Sequence, residues 1–105
     1  MSRWITLLVL SSWALAAPGQ PGEVRQRELL HLLQQDCGSC HGLTLRGGLG
    51  PSLLPDSLAG KPAVFLVRTI LDGRPGTAMP PWRPLISEVD ATWLVQRLLD
   101  GEGVQ

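Results

Sequence analysis

Apolar positions recur at helical spacing in three stretches of this chain and crowd together without any spacing at its start. From Glu23 onward, Leu29 and Leu33 stand four apart and Cys37 continues the stripe, which predicts a first helix running straight into the segment that follows. Ala63 to Leu71 predicts a second helix, with Pro62 suited to its first turn and Gly73 to its C-terminal stop. Phe65, Leu66, Thr69 and Ile70 are its expected buried face. A last helix is expected from Ser87, where Ser87 and Asp90 approximate a capping box. Val89, Trp93, Leu94 and Leu98 give it an apolar face, Trp93 is expected to cross the first helix, and Gly101 ends it. Between the helices, Leu43 to Leu58 reads as an irregular wrap, because Gly47, Gly48, Gly50, Pro51 and Pro55 break regular structure. Gly73 to Pro84, with four prolines, can be neither helix nor central strand. Residues 102–105 are expected to fray.

The unspaced apolar run lies between Trp4 and Ala14, behind a single positive charge at Arg3 and ahead of Ala14-Leu15-Ala16. This is the composition and length of a secretory signal peptide over residues 1–16, with cleavage after Ala16, and it falls short of the ~20 residues a membrane span needs. The alternative is an uncleaved anchor. Export would place residues 17–105 as one domain in the periplasm, an oxidising compartment. A formal charge of zero over 105 residues argues against nucleic acid or an anionic membrane surface as the main partner. A domain this small is marginal without a staple.

The candidate staple is Cys37-Gly38-Ser39-Cys40-His41. Two thiols three residues apart and an imidazole next to the second form the signature of covalent c-type haem attachment, with His41 as an axial iron ligand. Three other readings exist. A Cys37–Cys40 disulfide would close a tiny strained loop and give His41 no role. A thiol–disulfide oxidoreductase would carry its Cys-x-x-Cys at a helix N-terminus after a strand, whereas here a helical pattern precedes it. A zinc site wants about four ligands, and His31, read as a solvated helix residue, is the one further nitrogen. Beyond Met1, Met79 is the only methionine. In a stiff Gly/Pro loop it is either a sixth ligand opposite His41 or a gap-filler. A carbonyl near Gly50-Pro51 is a candidate acceptor for the second ring nitrogen of His41, or belongs to an ordinary turn. Trp82 shields a haem, anchors its loop or lies exposed at the surface. Arg46, Arg74 and Arg83 form either a docking patch for an acidic partner or three solvated charges.

With these residues in view, the chain resembles the class I c-type cytochromes over essentially all of residues 17–105. That resemblance implies an all-α fold of about four helices wrapped around one covalent haem c. It makes Cys37 and Cys40 the haem-binding thioethers, His41 and Met79 the axial iron ligands, and the Pro51 carbonyl the partner of His41. One departure is Leu29, where many relatives carry a small residue at the crossing of the first and last helices. Within the family, Asp36 to Leu45, Gly47 to Pro51 and Gly73 to Trp82 look like the NirC type, small monohaem cytochromes encoded with dissimilatory nitrite reductase. This likeness implies a monomeric one-electron carrier in denitrification, not an enzyme, delivering electrons to nitrite reductase; alternatively it implies a part in maturing the d-type haem of that reductase.

Overall fold

The computed structural model describes residues 7–10 and 19–102. The expected signal segment lies outside them except for residues 7–10, as does the cleavage point. Among the described residues no helix is long and apolar enough to cross a membrane, and there is no strand.

The first helical unit is a rod in three parts. Helix α1 (Glu23–Leu32) passes into a π-helical turn (Leu33–Cys37), and the turn into the short α2 (Gly38–His41). The residues at both junctions, Leu33 and Gly38, keep right-handed helical dihedrals, so the rod does not break. Three further helices follow: α3 (Pro55–Leu58), α4 (Ala63–Asp72) and α5 (Glu88–Leu99). The irregular wrap therefore ends in a helical turn. Pro55, read as a breaker, starts it, because a proline at the first helical position gives up only a donor that would have no intrahelical acceptor. Helix α4 starts at Ala63 as expected, with Pro62 as the extended residue that caps it.

A single core lies where α1, α4 and α5 meet. Leu29, Leu33, Leu45, Val67, Leu71, Ile86, Trp93, Leu94 and Leu98 are buried together in it. Leu29 of α1 and Ala91 of α5 are both at 0% exposure, so the contact between these helices is closed with leucine in place. Two expected faces need correction. On α4 the buried pair is Val67 and Leu71, with Leu66 and Ile70 partly buried against the core, while Phe65 is 52% exposed and the Thr69 hydroxyl turns back to the Phe65 carbonyl. On α5 Val89 is exposed, and Ala91 and Val95 join Trp93, Leu94 and Leu98 inside. The polar residues of α4, Arg68, Thr69 and Asp72, share one side of the helix with Phe65, and the opposite side, with Val67 and Leu71, packs on α5. At the C-terminal end the backbone N–H of Glu102 donates to the Arg97 carbonyl at 2.9 Å, so the chain stays attached at least that far.

The capping box forms as read. Asp90 N–H donates to Ser87 Oγ, and Ser87 N–H donates to Asp90 Oδ2, both at 3.1 Å. The same carboxylate does a second job that the local sequence does not reveal. Arg25 of α1 donates to Asp90 Oδ2 from Nε at 3.2 Å and from its terminal nitrogen at 2.9 Å, and also reaches the Leu85 carbonyl. Asp90 thus joins the start of α5 to α1.

Burial pushes the Asp90 carboxyl up, but the Arg25 guanidinium and the Ser87 donors outweigh it and hold the group below its ordinary value of 3.8. A lowered carboxyl pKa stabilises the fold above that ordinary value, and the contribution is lost as pH falls through the folded-state pKa. Asp90→Asn is expected to cost about 1 kcal/mol at pH 7, below the usual range for hydrogen bonds to a charged group because Arg25 is partly exposed. Urea unfolding at stepwise lower pH should show the gap from wild type closing below the ordinary carboxyl range. A gap that stays constant with pH would contradict the assignment.

Candidate haem-attachment site

The motif occupies the C-terminal end of the first rod. Cys37 closes the π-turn, and Cys40 and His41 end α2. Residues three apart are neighbours on a helical surface, which puts the two thiols on one side. Cys37 is partly buried against the core and Cys40 is exposed. Ser39 Oγ donates to the Asp36 carbonyl at 2.7 Å and tightens the turn between them.

A helix end leaves carbonyls without partners, and here the following loop supplies the donors. Gly47 N–H reaches the His41 carbonyl at 2.7 Å and Gly50 N–H reaches the Cys40 carbonyl at 2.8 Å. Gly42 permits the reversal, with φ +94° and no room for a Cβ beside the Gly47 carbonyl. The loop is pinned to the core by Leu45, which is 1% exposed and takes a left-handed φ of +59° to get there.

This folding back brings the Pro51 carbonyl to His41 Nδ1 at 2.7 Å. A carbonyl can only accept, so Nδ1 carries the proton and Nε2 keeps its lone pair for a metal. The ordinary-turn reading of Gly50-Pro51 gives way to the acceptor reading. Gly50 lies flat against the imidazole, where a Cβ would come within 2.8 Å of both Cε1 and Nδ1. The ring is thus fixed in plane and in tautomer by backbone alone.

Met79 stands on a different arm, in the loop that leaves α4, and is half-buried. Its N–H donates to Thr77 Oγ1 at 3.3 Å and its carbonyl accepts from Arg74 N–H at 3.1 Å. Trp82 acts as the loop anchor: its N–H donates to the Ile70 carbonyl, and its ring is partly buried against the core. His31 is exposed on α1, as read. Of the three arginines, Arg83 is paired with Asp72 at 2.6 Å, which leaves Arg46 and Arg74 as the exposed members with no ion pair among the described residues. The Arg25–Asp90 join, the π-turn, Asp72 and Thr77 were missed. Only Asp72 left a trace in the sequence, as the acid at the near end of the Gly/Pro loop that Arg83 closes.

The competing chemistries find little here. Burial first, then the neighbouring Asp36 charge, pushes the Cys37 thiol up to about 11, the reverse of what a thiol–disulfide oxidoreductase needs. No group of three or more His, Cys, Asp or Glu side chains that could hold a metal ion occurs among the described residues. A surface groove of about 430 Å³ between α4 and α5, lined by Ala63, Val67, Leu71 and Thr92, includes none of the motif residues.

A helical chain with this motif and an imidazole offered to a metal defines a c-type cytochrome. Residues 25–96 match the family described as cytochrome c oxidase, cbb3-type, subunit III, and the chain belongs to that family of cytochrome domains. It is 55% identical to cytochrome c55X of Pseudomonas aeruginosa over 103 residues, covering 94% of this chain and 85% of that one. Among solved structures it is similar to the c-type cytochrome NirC, with 60% identity, a TM-score of 0.80, and coverage of 81% of this chain and all of that one. It is also similar to part of dihydro-heme d1 dehydrogenase NirN in complex with DHE, at 38% identity and a TM-score of 0.62, covering 66% of this chain and 15% of that one. The all-α fold of four helical units is that of a c-type cytochrome, and the cofactor of the chain is covalently bound haem c.

Proposed function

We propose that this chain is a periplasmic one-electron carrier, with residues 17–105 as its working domain after removal of residues 1–16, and that it serves dissimilatory nitrite reductase. The observation that carries the reading is the Nδ1–Pro51 hydrogen bond of His41, which leaves Nε2 as an iron donor beside two cysteines at attachment spacing. Cys37 and Cys40 hold the haem through thioethers, His41 is one axial ligand and Met79 the other. The haem supplies the one-electron redox chemistry, and this chain's residues bind it, close both axial positions and set its potential. A nitrogen and a thioether together leave no place for substrate, which is why the reading is a carrier and not an enzyme. The NirC likeness supports nitrite reductase as the acceptor.

The test is stopped-flow mixing of the reduced, purified periplasmic protein with oxidised nitrite reductase. Oxidation that becomes faster with added reductase supports the reading, and no reaction at any concentration removes that acceptor. Mass measurement of the exported protein should show one haem added and no free thiol.

A second reading, a part in maturing the d-type haem of nitrite reductase, has the likeness to dihydro-heme d1 dehydrogenase on its side. A deletion strain whose nitrite reductase is fully assembled would count against it.

A further inference from the structure

An acid closes α4 where an acid is electrostatically out of place. The C-terminus of a helix carries partial negative charge and favours cations, yet the last residue of α4 is Asp72. Its partner explains the choice. Arg83 donates to Asp72 Oδ1 from Nε at 2.9 Å and from its terminal nitrogen at 2.6 Å, across an eleven-residue separation.

Everything between the two residues is the loop that carries Met79, and its neck is also closed by backbone. The N–H groups of Trp82 and Arg83 donate to the Ile70 and Leu71 carbonyls, both at 3.0 Å, and so satisfy acceptors left over at the end of α4. Gly73 makes the reversal at φ +68°, packed so closely that a Cβ would meet the Met79 carbonyl oxygen at 2.7 Å. Inside the loop Thr77 Oγ1 donates to the Arg74 carbonyl at 2.7 Å and accepts from Met79 N–H. The result is a compact loop with a tied neck. The backbone ties are indifferent to solution conditions, whereas the ion pair, with both side chains more than half exposed, is not.

We infer that the Asp72–Arg83 pair is a latch on the Met79 loop, a pair of positioning residues that governs how readily the thioether leaves the iron. The inference rests on the reading of Met79 as an axial ligand. Because the latch is exposed, salt loosens it: charges at the surface are screened within roughly 3 Å at 1 M ionic strength. The thioether therefore dissociates faster at high salt with no change in the rest of the fold.

The measurement is carbon monoxide uptake by the ferrous haem-loaded protein, which requires the sixth position, alongside thermal unfolding. Asp72→Asn and Arg83→Gln should each speed uptake about 3-fold at low salt, the scale that an exposed ion pair supplies, and the double variant should be no faster than either. Wild type should approach the variants at 1 M salt, and Asp72→Glu should restore slow uptake. Thermal stability of Asp72→Asn should hold or rise slightly, since the change removes an acid from a helix C-terminus. Uptake at the wild-type rate in Asp72→Asn at all salt concentrations overturns the latch, as does a fall in stability with no change in uptake. Met79→Ala separates the two readings: if wild type takes up carbon monoxide as fast as that variant, Met79 is not the ligand. If wild type is slow and the latch variants match it, Met79 stands and the latch does not.

Discussion

Met79→Ala is expected to give a protein that keeps its haem, loses the weak red-edge absorption of sulfur-ligated ferric iron, and falls in reduction potential on the order of 0.2 V. A thioether opposite an imidazole favours the ferrous state and raises the potential, and axial ligands as a class set potentials over a span of roughly 0.8 V. The change should be unbuffered, because beyond Met1 the chain has no second methionine that could replace Met79. The loop itself should survive. Its closure depends on Gly73, on the Met79 backbone and on the hydrogen bonds from Trp82 and Arg83, none of which involves the sulfur. Spectroelectrochemistry of the purified variant reads both changes together, and an unchanged potential with the red band intact would remove Met79 from the iron.

Gly50→Ala should strike the His41 ring directly. Gly50 has no left-handed dihedral to preserve, so the whole effect comes from the contact of the new Cβ with the His41 ring at 2.8 Å. The ring cannot give way cheaply. Tilting it breaks the bond to the Pro51 carbonyl, while moving the loop breaks the Gly50 N–H bond to the Cys40 carbonyl. Forcing an extra carbon into a packed site costs about 1–3 kcal/mol, and a lost hydrogen bond adds about 1 kcal/mol. For a domain of this size that is a fall of at least about 8 °C in unfolding temperature, together with a reduced yield of haem-loaded protein. Gly22→Ala, where a Cβ meets nothing within 4 Å, is the control for steric contact and should cost no more than about 1 kcal/mol, the N-cap preference of α1 for glycine over alanine. Equal yields and melting points for the two variants would show that the Gly50 contact does not hold the ring.

The residues proposed to carry chemistry are readable in the sequence because most of them are close together and the last stands out by its type. Cys37, Cys40 and His41 form one motif, Pro51 follows ten residues later, and Met79 is conspicuous in a loop that has no use for a long flexible side chain unless something holds its sulfur. The ends of the helices were legible for the same reason: Ser87 finds Asp90 three residues on, and Gly73 directly follows α4. The features that escaped depend on residues far apart or on a choice the local sequence leaves open. Arg25 and Asp90 are 65 positions apart, and no local pattern couples them. The face of α4 is an exception: Arg68, Thr69 and Asp72 mark its outer side, which Phe65 shares, so Val67 and Leu71 are readable as the buried pair, and the expectation put Phe65 and Thr69 on the wrong side. The four-residue α3 is too short for periodicity to register.

The π-turn carries a consequence for where the motif faces. A widened turn amounts to one surplus residue inside an otherwise regular helix, and here it falls between the last leucine of the core stripe and the first attachment thiol. Winding the same residues as an ordinary α-helix would instead rotate Cys40 and His41 about the axis by about 100°, one residue's share of a turn. The widened turn, and not the motif alone, therefore sets the side of the rod on which Cys40 and His41 stand relative to the core leucines, while Gln34, Gln35 and Asp36 remain exposed.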